Sequence, residues 1–166
     1  KIQNSLILRA MNSLFSLFVI LFSLFFSSPL SPSSLTDSSE AAVEETVIEF
    51  FNAMRESDSS AMKSHMTPDV TLHTVIVSDE GNAVLRQTGI PAFMNSVNQS
   101  SPGSLDEQLT SFIAHVDGDL STAWMGYSFY YDGEFSHCGV NTMNLIQTES
   151  GWKIFSIVDT RWQEGC

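Results

Sequence analysis

Residues that can hold or move a proton cluster in the C-terminal part of the chain: His137, Asn141, Asp159 and Arg161. Two tight turns decide whether they meet. A two-residue loop at Asp132-Gly133 pairs Tyr131 with Glu134, which sets His137 opposite Ser128 and Asn141 opposite Trp124. A turn at Ser150-Gly151 sets Asn141 opposite Asp159 and Gly139 opposite Arg161. One sheet face then gathers Trp124, Ser128, His137, Asn141, Asp159 and Arg161. Gly139 leaves a gap between them for a ligand. In such a pocket His137 moves a proton, Asp159 orients it or acts as a base, and Arg161 holds an anionic or carbonyl oxygen. Asn141 and Trp124 contact the ligand, and His73, sharing a strand face with Thr71 and Val75, points into the same cavity. The competing reading is structural: a hydrogen-bonded network on a half-buried sheet, with Asp159 and Arg161 paired along one strand.

The other chemistry-bearing residues are dispersed. His65 suits the end of a short helix, and His115 lies near a rim before the Asp117-Gly118 turn. The four histidines lack the spacing of a metal site, so no metal is expected. Cys138 and Cys166 are too few for a zinc motif; in an oxidising compartment they pair, and otherwise they are two unlinked thiols. Tyr127, Phe129, Tyr130 and Tyr131 form a dense aromatic strand, read first as core packing and dimer contact and second as ligand stacking. No Gly-rich phosphate loop, nucleophile elbow or cysteine–histidine motif is present, and no cofactor is called for.

The elements that must position these groups follow from periodicity. Val43, Val47, Phe50, Phe51 and Met54 recur at spacings of three and four, the stripe of an amphipathic helix capped by Asp37 or Ser38. Asp58 caps a second short helix to about His65. The period then changes to two: strands at Val70 to Val77 and Val84 to Thr88, a third helix opened by Pro91, and four long strands from Asp106 to Trp162 joined by three hairpins. This predicts an α+β fold in which a curved, cone-shaped antiparallel sheet and about three N-terminal helices enclose a pocket.

Residues Leu14 to Phe26 are an apolar run of 13, the length of a signal-peptide core and shorter than the ~20 residues of a spanning helix. The chain therefore divides into an export signal or anchor over 1–34, a Ser-rich linker over 35–39 and a single domain over 40–166. Export is expected to a periplasmic, secreted or tethered location, with membrane contact only through an uncleaved N-terminal segment. From Leu35 onward, Arg55, Lys63, Arg86, Lys153 and Arg161 face all 19 acidic residues. That charge repels phosphate backbones and anionic lipid heads, which excludes nucleic acid as a partner.

The stretch from Phe129 to Cys166 resembles the C-terminal half of nuclear transport factor 2-like proteins of the "putative lumazine-binding" or SnoaL-like kind. The resemblance rests on the Asp132-Gly133 hairpin, Ser136-His137-Cys138-Gly139-Val140, Gly151-Trp152-Lys153-Ile154, Asp159-Thr160-Arg161 and the terminal Cys166. Trp162 stands where that pattern has a second Arg, and Met143 where it has Phe. The resemblance implies a conical cavity fold, often dimeric through the sheet's outer face. It implies no particular chemistry, because isomerases, dehydratases, hydrolases, cyclases and plain binding proteins share the architecture.

Three functions are carried forward. The first is an exported cavity protein, a homodimer, that binds a small molecule. The second is a lyase, isomerase or cyclase using acid–base residues in the cavity. The third is a structural or interaction module whose cavity is filled by its own side chains.

Overall fold

In the computed structural model, which describes residues 32–166, the stripe Val43, Val47, Phe50, Phe51 and Met54 is the buried face of helix α1 (Pro32–Arg55). The helix begins earlier than its sequence suggests. Residues 35–39, expected to be a linker, are helical, and so are Asp37 and Ser38, expected to cap. Extending an existing helix costs little per residue, so a polar Ser-rich stretch continues one that its apolar face already holds in place. The apolar run over 14–26 lies outside the described residues. From Leu35 to Cys166 the chain forms one compact unit.

Ser57 adopts a positive φ of 58° and ends the first helical path. Asp58 then caps α2 (Ser59–Ser64), its carboxylate accepting from the Ser60 and Ala61 N–H groups at 3.0 and 2.9 Å. Strands β1 (Met66–Val77) and β2 (Ala83–Thr88) form an antiparallel pair. Helix α3 (Ile90–Gln99) carries Pro91 in its first turn, where the missing N–H forfeits no bond. The strands β3 (Leu105–Asp117), β4 (Leu120–Tyr131), β5 (Glu134–Thr148) and β6 (Gly151–Thr160) follow as a meander.

The six strands lie in the order β2-β1-β6-β5-β4-β3. One pairing departs from the expected antiparallel sheet: β6 runs parallel to β1, with Thr74 beside Asp159. A period of two reports a strand and not its direction. Three hairpins fix the direction of β6, and the edge of β1 left open by β2 receives it in parallel.

Side chains alternate across the sheet. The helices cover the face that carries Leu72, Leu105, Met125, Met143, Leu145, Ile154 and Ile157, all buried in one core with the α1 stripe, Met94 and Val97. Beyond β6, Trp162 and Cys138 exchange main-chain hydrogen bonds at 2.8 and 2.9 Å. Of the two readings of the cysteines, the disulfide is the one formed: Cys138 and Cys166 are bonded, their Cα atoms 5.9 Å apart.

Candidate functional site

The polar end of the inner face is built from three strands. Asp159 on β6 is 5% exposed and has a partner for each oxygen: Oδ1 accepts from the Thr74 hydroxyl at 2.7 Å, and Oδ2 pairs with Arg161 Nε at 2.6 Å. Asn141 on β5, directly beside Asp159, is also buried. Its amide reaches over β4 and donates to Glu107 Oε1 on β3 at 2.6 Å. His137 on β5 packs edge-on to Tyr127 and tilted against Phe129, with ring centroids 5.7 and 5.1 Å apart. The hydroxyl of Tyr127 donates to the Thr160 carbonyl at 2.9 Å.

These groups share a cavity of about 390 Å³. Phe50, Phe51 and Met54 of α1 and Phe93 of α3 form one wall, the apolar side chains of the sheet form the other, and Glu107, His137, Asn141, Asp159 and Arg161 stand together at one end. A cavity with a mostly apolar wall and a few convergent polar groups is the usual form of a small-molecule site.

Electrostatics make that end close to neutral. Burial pushes the Glu107 carboxyl up to about 8, against the opposing pull of the Asn141 hydrogen bond, and the neighbouring Asp159 adds to the rise. Glu107 is therefore mostly protonated at neutral pH and can donate as well as accept. Burial and then the Arg161 cation lower the His137 pKa, opposed by Asp159, so His137 is a neutral imidazole at pH 7. Arg161 and Asp159 compensate each other. Burial, followed by the charges of Glu107 and Asp159, raises the Tyr127 pKa and keeps its hydroxyl protonated.

Of the residues singled out by sequence, His137, Asn141, Asp159 and Arg161 line one cavity. Trp124 does not. It is 55% exposed on the opposite face, because a bulge between Phe129 and Tyr130 adds one residue on β5. His137 thereby pairs with Phe129 and Asn141 with Met125, which turns both Trp124 and Ser128 outward. His73 also faces away: it sits beside Val158, while its neighbour Thr74 reaches Asp159. Gly139 does not open a gap for a ligand. A side chain there would run into the Thr160 carbonyl and meet the Tyr127 ring at 3.1 Å, so this glycine permits a close main-chain crossing. Among the described residues no group of three or more His, Cys, Asp or Glu side chains is placed to hold a metal ion.

Glu107 was absent from the sequence-derived set, although a signal for it exists. Leu105, Glu107 and Leu109 alternate onto one face of β3, and an acid between two leucines on an inward face is a buried carboxyl in need of a partner. Tyr127 and Phe129, read first as core or dimer residues, line the cavity as well.

Comparison with known proteins places the fold. The sequence family described as "Putative lumazine-binding" matches residues 38–158. No curated protein matches the chain. Among solved structures, a function-unknown protein of Mycobacterium tuberculosis superposes with a TM-score of 0.63 at 13% identity, over 82% of this chain and 79% of that one. A nuclear transport factor 2-like protein with a cystatin-like fold from Novosphingobium aromaticivorans gives 0.59 at 14% identity, over 78% and 85%. A "putative dehydratase" of the same fold family from Streptomyces avermitilis gives 0.58 at 18% identity, over 77% and 99%. At such identities the likeness is one of fold.

Proposed function

The chain belongs to the nuclear transport factor 2-like family described as "Putative lumazine-binding", and on that premise we propose that it binds a small, uncharged, ring-bearing molecule in the cavity beneath α1 and α3. The observation that carries this reading is the division of the cavity wall, aromatic and aliphatic around the body and polar at one end. Aromatic side chains take up ring faces. A protonated Glu107, the Asn141 carbonyl oxygen and the neutral His137 offer mixed donors and acceptors to a carbonyl, hydroxyl or amide edge. An anionic ligand fits less well, because the Arg161 charge is already matched by Asp159 and the chain as a whole is strongly negative. A cationic one finds no unmatched carboxylate at the polar end, where Glu107 is mostly protonated.

Lumazine, the ligand in the family's description, is the first probe. Calorimetric titration should give saturable heat with the native chain and none with Ala92→Trp, in which an exposed residue lining the cavity is enlarged to occlude it. No saturable heat with either chain would remove pterin-like rings from the reading.

A second reading, acid–base catalysis of the lyase, isomerase or cyclase kind, is favoured by the Glu107 carboxyl, which titrates close to neutrality beside a neutral imidazole. Asp159 is the weaker candidate base, since both its oxygens are engaged. Loss of turnover in Glu107→Gln with retained ligand affinity would support this reading over simple binding. Two further proposals complete the account. The apolar run over 14–26 and the disulfide favour export to an oxidising compartment. Ile113 and Trp124, cross-strand neighbours and both more than half exposed on the outer face, favour pairing of two copies there.

A further inference from the structure

The chain beyond β6, from Arg161 to Cys166, is exposed at every residue. No side chain of this tail enters the core. It is held by the main-chain exchange between Trp162 and Cys138, by the Arg161–Asp159 pair and by the Cys138–Cys166 disulfide. Its anchor point is informative. Cys138 lies on β5 between His137 and Gly139, so the residue that receives the tail on one side of the sheet follows directly on the one that presents an imidazole to the cavity on the other. His137 and Arg161 also line a second, shallower pocket with Ser136, Trp162 and Gln163. The tail is thus one wall of the site's mouth.

We propose that the Cys138–Cys166 disulfide is a positioning device for this site: by fixing the tail it holds Arg161 against Asp159, so that the polar end of the cavity is complete only in the oxidised chain. The proposal rests on the cavity reading above for its purpose, and on the tail geometry for its content. Reduction by a dithiol breaks the Sγ–Sγ bond with two electrons and two protons, leaves a thiol on each cysteine and converts the dithiol to its own disulfide. The tail then keeps only one pair of main-chain bonds and an ion pair whose arginine side chain is half exposed. A partly exposed pair of that kind is a weak tether. Once Arg161 leaves, Asp159 retains the Thr74 hydroxyl but loses its counter-charge, and the end of the cavity turns from near neutral to negative.

His137 reports this change without any ligand. The groups that face it are Arg161 from the tail, Asp159 from β6, the Tyr127 and Phe129 rings from β4 and, on its own strand, the Ser136 hydroxyl, 3.0 Å from Nδ1. The cation holds its pKa down and the carboxylate raises it, so loss of Arg161 alone shifts it upward. The experiment is an NMR titration of the histidines in the full chain, oxidised, reduced with dithiothreitol, and as Cys166→Ser. The expected result is an upward shift of His137 on reduction and in Cys166→Ser, with His65, His73 and His115 unchanged and the core resonances retained. In Arg161→Gln, reduction should leave His137 unmoved. The proposal is overturned if His137 titrates alike in both redox states, or if reduction moves it equally in Arg161→Gln. Because no ligand enters the measurement, its failure is distinct from failure of the binding reading.

Discussion

The amide of Asn141 donates to the carboxyl of Glu107 across the full width of β4, over 2.6 Å, and thereby joins an edge strand of the sheet to the residue beside Asp159. Through it, β3, β5 and β6 contribute to a single polar end, and the proton on Glu107 becomes a property of the fold.

The first expectation concerns that proton. In the unfolded chain the Glu107 carboxyl titrates near its ordinary 4.5, and in the folded chain at about 8. The folded state binds the proton more tightly, so its stabilising effect is complete below about 4.5 and is lost as pH rises through about 8. Glu107→Gln keeps an acceptor for Asn141 and cannot ionise. Urea unfolding at pH 5 and pH 9 should show a decline in native stability on the order of 2–4 kcal/mol that the variant lacks. Parallel pH dependence in the two proteins would mean that the carboxyl is not held neutral.

Gly139→Ala tests the crossing at the end of β6. The added methyl group meets the Thr160 carbonyl, so β5 and β6 must separate there. The expected loss is about 1–3 kcal/mol of stability, as for overpacking elsewhere. Tyr127→Phe, which removes only the hydroxyl bonded to that carbonyl, should cost about 1 kcal/mol. Thermal melts of the two variants order these effects, and a neutral Gly139→Ala would show the crossing to be looser than described.

Much of this fold was legible in the sequence because its signals are local. The α1 stripe, the Asp58 cap and the Asp132-Gly133 hairpin each depend on a few neighbouring residues. Register was less legible. One unpaired residue at Ser136 moved Trp124 out of the expected site, and no pattern in Phe135-Ser136-His137 announces a bulge. The pairing of Asn141 with Asp159 was nonetheless read correctly, since a second irregularity between Asn144 and Leu145 leaves that register where the Ser150-Gly151 turn predicts it. The inward turn of Glu107 is legible in the alternation Leu105-Glu107-Leu109, but its pairing with Asn141 and the parallel β1–β6 pair are not, because both depend on contacts between residues far apart in the chain.

The outer face yields a further expectation. Trp124 and Ile113 lie side by side and exposed, and two copies pairing through them would bury both. Sedimentation at micromolar concentration should give a dimer mass for the native chain and a monomer mass for Trp124→Glu, with unchanged circular dichroism. A monomer in both cases removes the dimer from the account.

The central claim is that the cavity beneath α1 and α3 receives an uncharged small molecule. Saturation-transfer NMR tests it most directly, with the native chain and Ala92→Trp each mixed with a panel of uncharged lactams, imides and phenols of one or two rings. The account predicts transfer to at least one member of the panel in the native chain, weaker transfer in Asn141→Ala and none in Ala92→Trp. No transfer to any compound, or equal transfer in the native and occluded chains, would contradict it.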